Sequence, residues 1–239
     1  MTTERRYAEL HAHSAFTFLD GTDEPARMVE EAVRLGLDAL AILDVDGMFS
    51  TVQTTMAARE AGLPIVYGAE LTLAPDALRG IVPGSSAPGW GLASGADEPG
   101  IRLPILAASP SGYANLVGTM SKRALSAPGE RNPRYRLVDL SEAGGDLIVL
   151  TGGRRGPLIR ALRAGGTASA RRVLDGLVDA FGRDHVLVEW QASRGDEDEV
   201  ADTLADLAHA CGTRLVATTG ARMSSPSQQA LGDILAATR

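Results

Sequence analysis

Two histidines one residue apart, His11 and His13, close the stretch YAELHAH, and Asp20 follows in the next loop. In an extended strand residues i and i+2 face the same side, so both imidazoles can be aimed into one small volume. A carboxylate seven residues on can fold back as an oxygen ligand. Imidazole nitrogen with carboxylate oxygen suits Zn, Mn or Fe better than Ca or Mg. The same residues also read as partly exposed polar groups at a strand end. Two further acids stand where strands are predicted to finish: Asp44 in LDVDG and Glu70 in PIVYGAE. Asp46, before Gly47, reads as a turn residue, and Asp44 stays open between turn and ligand. Glu70 ends an apolar run, where an unpaired carboxylate is costly, so a ligand or ion-pair role is expected.

The elements that must position these groups are legible from periodicity. Tyr7–His13 reads as a strand with Tyr7, Glu9, His11 and His13 on one side. A helix starts at Pro25 after Thr22-Asp23-Glu24, carries Met28, Ala32, Val33 and Leu35, and stops at Gly36. Strands follow at 38–44 and 64–70 around a helix at 49–61 that Gly62 ends. This β-α-β-α-β alternation implies a parallel sheet with helices outside. The stretch around 80–100, rich in Gly, Pro, Ser and Ala, reads as a flexible insertion or hairpin tip. Strands are predicted again at 103–108, 146–151, 185–191 and 214–219. Helices are expected at 111–125, 157–164, 167–182, about 197–211 and from about 225, with 126–139 irregular. The expected fold is α/β, a single β/α barrel-like domain over 1–239, in which the loops after the strands form the functional face.

The net charge of −7 and pI near 5.1 argue against a whole-domain electrostatic grip on nucleic acid. Residues 121–172 run the other way, with eleven basic and four acidic side chains. They read either as solvated helix faces or as a surface that orients a partner. The lone Cys211 excludes an internal disulfide and fits a reducing, cytoplasmic setting. The opening MTTERR has no signal-peptide core, and no apolar run reaches membrane-spanning length.

Four ordered stretches resemble one family: YAELHAHSAFTFLDGT, LGLDALAILDVDGMFS, AGLPIVYGAEL and SPSGYANLVGTMSKRAL. They are similar to the PHP (polymerase and histidinol phosphatase) domain at the N-terminus of bacterial C-family DNA polymerases, nearest the error-prone, alpha-subunit-like branch. The resemblance continues through TRLVATTGARMSSPSQQALGDILAATR. It implies a distorted seven-stranded β/α barrel and, in active members, metal-dependent phosphoesterase chemistry. It also implies ligand roles for His11, His13, Asp20 and Glu70. The family's Asp-His pair after the second strand reads Asp44-Val45 here, and valine cannot ligate a metal. Gly153 stands where a ligand Cys is implied, and Trp190-Gln191-Ala192-Ser193 stands where a His is. Gly220-Ala221-Arg222 replaces the closing Asp-x-His.

The resemblance therefore implies a vestigial site holding no metal or one divalent ion, Zn or Mn, with Arg222 replacing a metal charge and no useful hydrolysis. The implied function is that of the N-terminal module of an error-prone DNA polymerase in damage tolerance and repair. The implied partners are the remaining polymerase domains, absent from this chain, and damage-tolerance accessory proteins; DNA would be met only through the parent polymerase. The alternative is a self-standing metal phosphoesterase recruiting Asp44, Asp46 or His185.

Overall fold

The computed structural model describes residues 6–74, 77, 78, 100–126, 133–191 and 197–238. Seven strands occur among them: β1 (Ala8–Ala12), β2 (Ala39–Ile42), β3 (Gly68–Thr72), β4 (Arg102–Ala107), β5 (Leu147–Leu150), β6 (Val186–Gln191) and β7 (Arg214–Thr218). The helices are α1 (Pro25–Arg34), α2 (Thr51–Ala61), α3 (Pro110–Ser126), α4 (Leu137–Ser141), α5 (Pro157–Phe181), α6 (Glu197–Cys211) and α7 (Gln229–Thr238). The chain divides into two compact units, Met1–Ala69 with Thr218–Arg239, and Glu70–Ala217.

In the first unit β1 and β2 pair in parallel, and a parallel bridge joins Leu40 to Ile65, as the early alternation predicts. The core beneath them is made of Ala12, Met28, Val29, Ala32, Leu40, Ile42, Ala58 and Leu63. Helix α1 begins with Pro25, whose missing N–H is harmless in a first turn, and buries Met28, Val29 and Ala32. Val33 and Leu35 lie on the outer side, so Met28 and Ala32 of the expected stripe are buried together with Val29 instead. Gly36 and Gly62 take positive φ directly after their helices, where a Cβ would be strained.

The second unit carries the five-stranded sheet, in the order β3-β4-β5-β6-β7. The strands thus form sheets of two and five, and no closed seven-stranded ladder is seen among the described residues. β5 and β6 are parallel, but β4 runs antiparallel to β5. The reason lies in how β4 is entered. The Leu73 N–H donates to the Ile101 carbonyl at 2.8 Å, so the chain returns at the end where it left β3. A direct return reverses a strand, whereas a helical crossover keeps it parallel.

Three sequence expectations are corrected. The third strand begins later: Pro64–Val66 pairs with β2 through Leu40, and β3 proper starts at Gly68. Glu70 is consequently mid-strand. The stretch 126–139 contains part of α4, which buries Leu137 and Leu140 completely. By contrast the two helices expected at 157–164 and 167–182 are present as halves of α5, broken by non-helical Gly165 and Gly166. The insertion at 80–100 lies outside the described residues except Gly100, as do Arg131, Ala192 and Ser193.

Candidate metal centre

In the first unit the end of β1 places both histidines in the interior. His11 and His13 are buried and their ring centroids are 5.3 Å apart. The strand does not reach them by simple alternation. β1 carries one extra residue between Glu9 and Ala12 relative to β2, a bulge in the pairing. The buried Glu9 carboxylate organises that bulge. Its Oε1 accepts the His11 N–H at 2.8 Å, while Oε2 accepts the Tyr7 hydroxyl and the Thr219 N–H, each at 2.9 Å, and the Thr219 hydroxyl. Strand alternation puts Glu9 on the histidine side but assigns it no part. The signal is there all the same: an acid on the face that carries the histidines.

Asp20 is nearly dry, and both of its oxygens are engaged. Oδ2 lies 3.0 Å from His13 Nδ1, and Oδ1 lies 3.1 Å from Arg222 Nε. A carboxylate on Nδ1 fixes ring orientation and directs Nε2 outward as the coordinating nitrogen. The geometry thus gives Asp20 an orienting part. Asp44 is also buried but is spent on the loop: it accepts the Ser14 N–H at 3.0 Å, the Ser14 hydroxyl at 2.9 Å and the Thr17 hydroxyl at 2.8 Å. Asp46 takes a left-handed conformation (φ 52°) in a turn. The loop closes at Gly21, where a Cβ would meet the Ser14 carbonyl oxygen at 2.0 Å.

The loop holding Arg222 is stitched to the same region by its backbone. The His13 N–H donates to the Ala221 carbonyl at 2.8 Å and the Thr22 N–H to the Arg222 carbonyl at 2.9 Å. The Ser224 N–H donates to buried Asp23 at 2.7 Å.

In the second unit Glu70 receives Arg102 Nη1 at 3.2 Å, both side chains being largely buried. At the ends of β5 and β6 the Gln191 amide donates to buried Glu189 at 3.2 Å. The Gln191 Oε1 sits only 1.8 Å from where a Cβ on Gly153 would be, so Gln191 fills the space that a side chain at 153 would take. His185 lies before β6 with Nδ1 2.9 Å from the Leu147 carbonyl oxygen, and His209 is exposed on α6. Within the basic stretch Arg136 pairs with Asp139, Arg171 with Asp175, and Arg123 donates to the Arg134 carbonyl.

As a fit test, the first unit offers two buried imidazoles, one of them oriented by Asp20, which also holds a guanidinium. That donor set suits one Zn or Mn ion, which when bound would supply Lewis-acid activation of water or a phosphoryl oxygen.

A model of the PHP domain matches residues 9–193. The chain belongs to the PHP domain family. Its relatives include error-prone DNA polymerases of Mycolicibacterium paratuberculosis, 43% identical over 98% of this chain, and of Nocardia farcinica, 39% identical over 98%. The PHP chain spans only 20% and 23% of their respective lengths. Among solved structures, an amidohydrolase from Chromobacterium violaceum, with bound sulfate and no metal, aligns with TM-score 0.58 at 14% identity, covering 90% of this chain and 87% of that one. A candidate metal-dependent phosphoesterase from Bifidobacterium adolescentis aligns at 0.56 and 16%, covering 93% and 90%. At such identities the likeness is one of fold. Among the described residues no helix is long and apolar enough to cross a membrane.

Proposed function

We propose that this chain is the PHP module of an error-prone DNA polymerase and acts mainly as a structural and interaction module in DNA synthesis during damage tolerance. The observation that carries this reading is the 43% identity running over nearly the whole chain while covering a fifth of a polymerase. The seven strands are the number a PHP-type barrel needs, which supports that architecture. The vestigial site, with His11 and His13 intact and Asp20 and Glu70 each beside an arginine, holds at most one Zn or Mn and gives no useful phosphoesterase turnover. A lone buried cysteine fits a reducing cytoplasm.

The surface that supports an interaction role lies on the first unit. Val52 and Met56, one turn apart on α2, are exposed, as are Phe49 just ahead of the helix and Phe18 in the loop between β1 and α1. Large apolar side chains grouped outside a core mark contact sites. The partner we assign is the remainder of the polymerase. Mixed with that remainder, expressed separately, this chain forms a complex by size exclusion, and Phe49→Ala with Met56→Glu weakens it about tenfold or more. Failure to associate with or stabilise the remainder overturns the reading.

The buried His11–His13 pair is what favours the second reading, a self-standing phosphoesterase. That reading requires Mn- or Zn-dependent phosphate release that His13→Ala abolishes.

A further inference from the structure

In the first unit the buried Asp44 ties the loop after β2 to the loop after β1. It accepts the Thr17 hydroxyl at 2.8 Å, and the Thr17 oxygen in turn accepts the Val45 N–H at 3.2 Å. Around this staple Ser14 and Thr17 are buried, whereas Phe16 and Phe18 are exposed. Phe49 is exposed on the second loop, its ring lying against Gly47, where a Cβ would meet Phe49 Cε2 at 1.9 Å. Three of the chain's four phenylalanines thus stand on these two loops, Phe18 being 83% and Phe49 61% exposed. Burying such rings in the chain's own core would be favourable, so a local constraint keeps them out. The backbone shows it. Leu19 (φ 61°), directly after Phe18, and Asp46 (φ 52°), three residues before Phe49, are the non-glycine residues with positive φ among those described. A bulky leucine is sterically opposed to that region, and its conformation persists only where the surroundings impose it.

We propose that Phe18 and Phe49 are the anchors by which the first unit docks on the rest of the polymerase, and that Asp44 and Thr17 are positioning residues that hold them ready. The assignment rests on the interaction role proposed above and identifies its contacts. Phe49, Val52 and Met56 recur at i, i+3 and i+7, so the anchors continue into an apolar stripe that fits an apolar protein face. Residues 14–24 and 44–58 carry Asp20, Asp23, Glu24, Asp44 and Asp46 and no lysine or arginine. Arg222 is engaged by Asp20, so a phosphate backbone finds little attraction here. The chain spans 20% of a polymerase relative's length, which on that reading leaves the larger part of the molecule to supply the pocket. Loops that are stapled before contact spare the cost of ordering them on binding, and preorganised aromatic anchors gain affinity in that way.

The test uses the polymerase that contains this chain, with a protease site inserted after residue 239 so that both parts fold together before they are cut. The affinity of the cut pair is read by size exclusion over a dilution series. With the natural sequence the pair stays together. Phe18→Ala with Phe49→Ala weakens it at least about tenfold and leaves the Tm of the chain unchanged. Thr17→Val removes the hydroxyl from the staple at nearly constant volume and weakens the pair about threefold or more, and Thr17→Ser restores it. Without the two rings Thr17→Val has no further effect, because it acts through them. Ser14→Ala replaces Thr17→Val if the latter does not fold. A cut pair that separates even with the natural sequence overturns the interaction role, and this proposal with it. A stable pair indifferent to the two ring changes overturns the anchors alone, and a Thr17→Val effect that persists without the rings overturns the part given to the staple. A dimer of the chain alone, or its binding of a single-stranded oligodeoxynucleotide, overturns the assigned partner if the same ring changes abolish it.

Discussion

The Asp20–Arg222 pair of the first unit and the Glu70–Arg102 pair of the second use the same chemistry under different wetting. Both carboxylates are nearly dry, at 3% and 6% side-chain exposure. The guanidiniums differ: Arg222 is 45% exposed and Arg102 only 14%. Coulomb attraction grows as water is excluded, and so does the penalty for leaving one partner behind. The backbones of the two arginines are fastened alike, the Arg102 N–H donating to the Arg155 carbonyl at 3.0 Å and the Arg222 carbonyl accepting the Thr22 N–H at 2.9 Å, so the difference lies in the side chains. The second pair is therefore a fixed part of a buried strand, whereas the first has one member that can detach. An arginine neutralises a buried carboxylate in two ways within this one PHP chain: from a largely buried side chain at Glu70, and from one half in water at Asp20.

The largest break in that comparison comes from Arg102→Ala, which leaves Glu70 charged in a fully buried strand. Loss of one partner of a buried pair costs about 3 kcal/mol or more, read as a lowered urea midpoint. The double change Arg102→Met with Glu70→Gln recovers most of that loss, because the carboxylate charge leaves together with its cation. Asp44→Ala comes next. Asp44 is held by hydroxyls and a backbone amide in place of a guanidinium, and removing it strips Ser14 and Thr17 of their buried acceptor. The expected loss is about 2 kcal/mol by the same measurement. Arg222→Ala in metal-free buffer is smaller, about 1 kcal/mol, since its guanidinium is half in water and His13 still holds Asp20. An Arg222→Ala loss equal to that of Arg102→Ala would erase the distinction between the pairs.

How legible each feature is in the sequence depends on how local its interactions are. The His11–His13 convergence is legible because the two stand one residue apart at a strand end, although a bulge modifies the alternation there, and Asp20 lies close behind. The bulge at Glu9 is not, since alternation carries no mark of an inserted residue; only the acid on the histidine face hints at it. Asp44 is ambiguous because its partners, Ser14 and Thr17, lie about thirty residues away and hydroxyls carry no distinctive spacing. Helix α4 is hidden because five residues hold too little of a 3.6-residue period to show one. The start of β3 is misplaced because PIVY is as strand-prone as GAEL after it, and pairs with β2 before the chain reaches β4. Arg222 beside Asp20 joins residues 202 positions apart, and only the family resemblance brings them together.

The smallest effect sharpens the contrast through the second unit's buried thiol. Cys211 ends α6, donates to Asp175 Oδ1 at 3.5 Å, and is pushed up to about 11 by burial first and by the Asp175 carboxylate second. Its ordinary value is 9.0, so the fold holds the proton across that interval while the unfolded chain gives it up. A group raised in the folded state stabilises fully below its unfolded value and loses that contribution as pH rises through the folded one. The contribution is thus complete at about pH 8 and fades between 9.0 and about 11. Two measurements check it. Iodoacetamide labels Cys211 at about pH 8.5 at least tenfold more slowly in the native chain than in urea, because thiolate is the reacting form. Between about pH 8 and 10.5 the Tm of the natural chain falls further than that of Cys211→Ala, and hydrogen exchange places the added loosening around α6 rather than around β1. Equal pH slopes for the two proteins would show that burial of this thiol does not tune the second unit.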